Sequence, residues 1–202
     1  MNRTRICLVA PSPLPADFDL TVAEALDAGD VASLLIDPAG ADKGLIDRTI
    51  RAATSRGVAA VIVGTTAPPA ADGVHVETGA KDVAAARASL GEERIVGAGG
   101  IGSRHDAMSL GERLPDYLFF GRFDGDTEPD IHPKALDLAS WWAQLFQIPA
   151  MVMGGSEVGS IAAAAAAGIE FIALRNAVWN HPSGAASAVA DANAILDEKA
   201  TA

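Results

Sequence analysis

The chain has 202 residues, half of them hydrophobic and 20% charged, which suits one sizeable domain with its own core and excludes a disordered chain. Fifteen Lys and Arg stand against 26 Asp and Glu, a formal charge of −11 without a basic stripe, so nucleic acid is excluded as a partner. Phosphorylated small molecules stay open, because backbone amides bind anions even on an acidic protein. The single cysteine, Cys7, rules out an internal disulfide, and no apolar run approaches the ~20 residues of a membrane span. With no signal peptide at the N-terminus, the cytoplasm is the expected compartment.

Short apolar runs alternate with helix-like stretches from the first residues onward. Arg5–Pro11 reads as a strand, Asp19–Ala28 as a helix closed by Gly29, and Val31–Ile36 as the second strand. A helix from about Ala41 to Arg56 stops at Gly57, and Val58–Gly64 is the third strand. The fourth strand already begins at Asp72. The intervening TTAPPAA is too short and proline-rich for a crossover helix, since a whole crossover takes at least ~10–12 residues. The third helix of the repeat is therefore expected to be a turn. A helix at Lys81–Leu90, a strand at Arg94–Ala98 and a helix at about Ser103–Glu112 follow. Then come strands at Pro115–Phe123, Ile148–Gly155 and Ile169–Trp179, separated by KALDLASWWAQLF and SEVGSIAAAAAAG, with a last helix over about Gly184–Lys199.

Eight such strands close into a parallel (β/α)8 TIM barrel, although ~250 residues is the usual size; a doubly wound open sheet would more often have five or six strands. No linker or shift in composition divides residues 1–202, so a single barrel domain is expected.

Three stretches carry candidate chemistry. Gly154-Gly155-Ser156 ends the seventh strand, where small residues admit an anion and Ser156 is placed to cap the next helix; Arg175 and Asn176 end the eighth. The competing reading is a tight turn needing glycine for its backbone alone. The loop Gly121–Lys134 alternates Asp124, Asp126, Glu128 and Asp130, an oxygen-rich run that suits Mg²⁺ or Ca²⁺ but is more simply a solvated acidic loop. It also offers Arg122, His132 and Lys134 to an anion. Gly97–Gly102 has G-x-G-x-x-G spacing between a strand and a helix, yet stands in the fifth unit without a fitting acidic partner, so a glycine-rich barrel loop is preferred to a dinucleotide site. The four histidines are scattered, which excludes a zinc pattern, and Trp141 and Trp142 cannot both face the sheet.

Together ADGVHVE, IVGAGGIGSRHDA, PDYLFFGRF, IPAMVMGGS and AGIEFIALRNAVW resemble the thiamine phosphate synthase family and its TenI-type relatives over about residues 57–179. The resemblance implies a (β/α)8 barrel that joins a pyrimidine pyrophosphate to a thiazole phosphate and releases pyrophosphate with Mg²⁺. The thiazole-phosphate seat of that family falls on Gly154, Gly155, Arg175 and Asn176, beside Ser156.

The chain departs from the family elsewhere. The pyrophosphate-holding Gln-x-Arg-x-Lys falls on Ser33, Leu35 and Asp37, and the Asn-Asp pair after the third strand near Gly64 and Thr65. The second magnesium aspartate falls near Ala80, with Asp82 two residues on; the Thr-x-Thr-Lys signature gives way to the acidic loop. The tautomerase histidine of the TenI branch falls near Ile101, with His105 a turn later. Losing two cations removes charge that a pyrophosphate leaving group requires. Activity then calls for Mg²⁺ on Asp82, Asp124 and Asp126, with Arg122 or Lys134 replacing the lost cations. The alternative is a non-catalytic or repurposed phosphate-ligand-binding homologue. The expected ligand is a small phosphorylated molecule, and the tryptophan face is compatible with a homodimer.

Overall fold

Eight parallel strands close on themselves in chain order in the computed structural model, which describes residues 3–201. They are β1 (Arg5–Val9), β2 (Val31–Ile36), β3 (Ala59–Val63), β4 (Gly73–Val76), β5 (Ile95–Ala98), β6 (Tyr117–Phe120), β7 (Ala150–Met153) and β8 (Phe171–Leu174). The helices are α1 (Phe18–Asp27), α2 (Lys43–Thr54), α3 (Ala80–Leu90), α4 (Arg104–Gly111), α5 (Pro133–Leu145), α6 (Ile161–Ala166), α7 (Asn176–Trp179) and α8 (Ala185–Thr201). No helix lies between β3 and β4, as TTAPPAA predicts. Arg94 holds that helix-free turn, donating to the carbonyls of Pro68 at 2.9 Å and Ala71 at 2.7 Å.

Strand alternation sorts the side chains into two cores. Ile6, Leu8, Leu34, Ile36, Val74, Leu118, Val152 and Ile172 point outward and pack under the helices. Cys7, Val9, Leu35, Val61, Tyr117, Phe119, Met151, Met153 and Ala173 fill the barrel interior. That interior is a packed floor, so any ligand must sit on the C-terminal rim.

Two elements differ from the sequence expectation. The run Ile169–Trp179 is not all strand: β8 ends at Leu174, and residues 176–179 turn into the short helix α7. Trp179 explains the break. Its indole donates to the Val9 carbonyl at 2.7 Å and its ring meets Phe18 edge-on, folding the chain back over the end of β1. The helix expected over Ser156–Gly168 likewise begins late, with a 3-10 turn at Val158–Ser160 before α6. Trp142 packs inward, buried and bonded to the Ile148 carbonyl, while half-buried Trp141 lies under Arg104. Among the described residues no helix is long and apolar enough to cross a membrane.

Candidate active site on the C-terminal rim

The ends of β7 and β8 bring Gly154, Gly155, Ser156, Arg175 and Asn176 together, as the strand order requires. Their donors, however, are already engaged. The Gly154 amide continues the sheet to the Ala173 carbonyl at 2.8 Å, and the Gly155 amide donates to the Ser160 hydroxyl at 3.0 Å. Ser160, not Ser156, supplies the hydroxyl at this turn. The Ser156 amide reaches the Glu128 carbonyl at 2.7 Å, and the Asn176 amide reaches the Asp126 carboxylate at 2.6 Å. Arg175 donates to the Phe123 carbonyl at 2.8 Å. A Cβ on Gly155 would collide with the Pro129 carbonyl, so glycine is needed here for close backbone approach. The acidic loop is thus folded onto the seat.

Beside it lies a cavity of about 170 Å³ between the ends of β5, β6 and β7. Arg122, His132 and Lys134 line it with Gly102, Gly121 and Met153. The two cations predicted to meet pyrophosphate therefore share one cavity, joined by His132. Arg122 is exposed and paired with Asp124 at 2.9 Å, which holds that carboxyl below the ordinary aspartate range. Both partners face solvent, so the pair holds Arg122 only weakly.

A second, wider opening of about 440 Å³ at the barrel mouth is lined by Ser12, Asp37, Glu77, Arg122, Phe123, Asp124 and Arg175. Burial, and then Asp124 and Asp37, push the Glu77 carboxyl up. Asp37, expected at a cation position of the resembled motif, is tied locally to the Ser12 hydroxyl at 3.0 Å and the Ala39 amide at 2.9 Å. Ser33 and Leu35, expected at the motif's other two positions, are buried, Leu35 in the barrel interior. Asp82, Asp124 and Asp126 do not fit a magnesium site. Asp82 rides on α3, Asp124 is paired with Arg122, and Asp126 is wholly buried on the Asn176 amide. Among the described residues no group of three or more His, Cys, Asp and Glu side chains is placed to hold a metal ion.

Below the rim the structure reveals a pair that sequence reading did not single out. His75 is completely buried, its Nδ1 2.9 Å from the Tyr117 hydroxyl, with Phe119 and Phe123 against its ring. Burial depresses its pKa to about 3 and raises that of Tyr117 well above the usual value. Both groups are neutral at working pH. Gly97 and Gly99 make the room: a Cβ at Gly97 would enter the Tyr117 ring, and one at Gly99 would stand 2.6 Å from His75 Nε2. Of the glycines that resemble a dinucleotide fingerprint, Gly97 and Gly99 are spacers in the barrel interior, while Gly102 lines the rim cavity. The signal was the two-residue alternation, which points His75 and Tyr117 inward opposite two glycines.

The comparisons with known proteins agree with this architecture. A family described as thiamine monophosphate synthase matches residues 7–178. Relatives named thiamine-phosphate synthase include one from Hyphomonas neptunium, 35% identical over 98% of this chain and 96% of its own. Another, from Rhodospirillum centenum, is 34% identical over 97% of this chain and 99% of its own. Among solved structures, a thiamine phosphate pyrophosphorylase from Pyrococcus furiosus superimposes with a TM-score of 0.78 over 98% of both chains at 19% identity. The GGGPS of Thermoplasma volcanium superimposes with a TM-score of 0.67 over 98% of this chain and 92% of its own at 15% identity, a likeness of fold. The chain belongs to the thiamine monophosphate synthase family.

Proposed function

We propose that the protein, acting as one barrel domain, couples a pyrimidine pyrophosphate to a thiazole phosphate, forming thiamine phosphate and releasing pyrophosphate. The carrying observation is similarity at about 35% identity across almost the whole chain to relatives named thiamine-phosphate synthase. The strand order brings together the residues to which we assign the roles. The ends of β7 and β8 form the seat for the thiazole phosphate, with Gly154, Gly155, Ser156, Arg175 and Asn176. Arg122, His132 and Lys134 face the adjoining cavity, where the departing pyrophosphate would collect its charge. Positive and hydrogen-bonding side chains around developing negative charge stabilise a leaving group, which is how these side chains assist the departure. The carboxylates present do not form a magnesium cage, so Mg²⁺ belongs to this proposal only as the pyrophosphate's counter-ion. The single buried thiol, Cys7, suits the cytoplasm. Exposed Leu114 and Phe146 line one surface cleft with Trp142, Phe146 also packs on Trp141, and this is the face we assign to a homodimer, which sedimentation of the pure protein checks.

Incubating the protein with both substrates and Mg²⁺ should yield thiamine phosphate, measured by mass spectrometry. Arg122→Ala and Lys134→Ala should each raise KM for the pyrimidine pyrophosphate about tenfold, the scale of a lost charge-assisted hydrogen bond, with little change for the thiazole phosphate. Binding of the thiazole phosphate without any product would favour the non-catalytic alternative.

A further inference from the structure

The segment between β6 and α5 lies across the ends of β7 and β8 instead of standing in solvent. Its oxygens take donors from the proposed phosphate seat at four points. Phe123 O takes the Arg175 guanidinium at 2.8 Å, and Glu128 O takes the Ser156 amide at 2.7 Å. Asp126 takes two: its carboxylate the Asn176 backbone amide at 2.6 Å, and its carbonyl the Asn176 side-chain amide at 3.2 Å. The Pro129 carbonyl fills the space in front of Gly155.

Asp126 is the chemically informative member. Its side chain has no solvent exposure, and Oδ1 is buried with no hydrogen-bond partner. A buried carboxylate oxygen left unpaired is costly, so fold stability alone does not account for it. What the carboxylate does have is the position of a bound anion: one oxygen accepts the backbone amide of Asn176 just after β8, and the positive charge of Arg175 acts on it.

We propose that the segment Arg122–Ile131 is an internal competitor for the phosphate seat, with the Asp126 carboxylate standing where a phosphoryl oxygen of the ligand would sit, and that phosphate ligands bind by displacing it. The inference rests on the phosphate seat proposed above. The displacement lowers apparent affinity by the fraction of molecules whose seat is open. It also couples the two ligands, because Arg122, which lines the pyrophosphate cavity, begins the same segment.

The test is calorimetric binding of the thiazole phosphate to the wild-type protein and to Asp126→Ala. Removal of the competing carboxylate should tighten binding about tenfold, and this result supports the proposal. Equal affinity, or weaker binding by a variant that melts as cooperatively as the wild type, overturns it and leaves the seat standing. Binding by neither protein overturns the seat and the competitor together. A second measurement needs no variant: limited trypsin digestion of the wild-type protein, following the cut after exposed Arg122. Saturating thiazole phosphate should speed that cut severalfold as the segment leaves the seat; an unchanged or slower cut contradicts displacement.

Discussion

His75 is a base that the fold keeps from acting as one. Its ring lies among Tyr117, Phe119 and Phe123, and burial takes its pKa from an ordinary 6.5 to about 3. The unfolded chain therefore gains a proton before the folded one does. The stability contribution is complete above the unfolded pKa of about 6.5 and declines as pH falls from there toward 3. Urea unfolding across that range should show a loss on acidification that His75→Phe reduces; an equal loss in the variant would contradict the burial argument. The residue type and the strand were readable in the sequence, and so was the inward direction. Its neutral state was not, because that follows from burial beneath side chains far away in the sequence, Tyr117 among them at 42 positions. Asp126 was harder still. In the sequence it is one acid in an alternating acidic run, and only its meeting with Asn176, 50 residues on, shows that it accepts an amide rather than waiting for a metal.

At the scale of elements, a repeating device closes the N-terminal rim. Asp72, Asp116 and Glu170, each just before an even-numbered strand, accept the amides of Ala60, Val96 and Ala150 in the strand before, at 2.7, 2.7 and 2.9 Å. Each satisfies a sheet donor that parallel pairing leaves open at the strand's start. Asp116→Ala should lower unfolding stability by about 1–3 kcal/mol, chiefly through the orphaned Val96 amide, because the ion pair with Arg87 is partly exposed. Denaturation with the midpoint unmoved would show that water replaces the carboxylate. The strands themselves were legible because short buried runs ended at Gly, Pro and Asp. The end of β8 was not: IALRNAVW is apolar enough to read as one strand, and the turn at Arg175 follows from Trp179 reaching Val9 at the end of the neighbouring strand β1. Ser156 and Ser160 were confused for a related reason. Sequence places a cap at the first serine, while the late start of α6 brings the second to the Gly155 amide.

For the whole molecule, eight parallel strands and the missing third helix were both set by spacing along the chain, and both are present. The site was legible by half. Strand order alone brings Gly154, Gly155, Arg175 and Asn176 side by side, but whether their donors are free depends on where the loop between β6 and α5 lies, which no local pattern encodes. An acidic barrel with a net charge of −11 can still serve two phosphorylated substrates if Arg122 and Lys134 gather positive charge at one side of the rim. The most direct test is to mix the purified protein with the pyrimidine pyrophosphate, the thiazole phosphate and Mg²⁺, and to measure both products. Thiamine phosphate and pyrophosphate should appear in equal amounts and only when both substrates are present. Pyrophosphate without thiamine phosphate, or neither product, would contradict the proposed coupling.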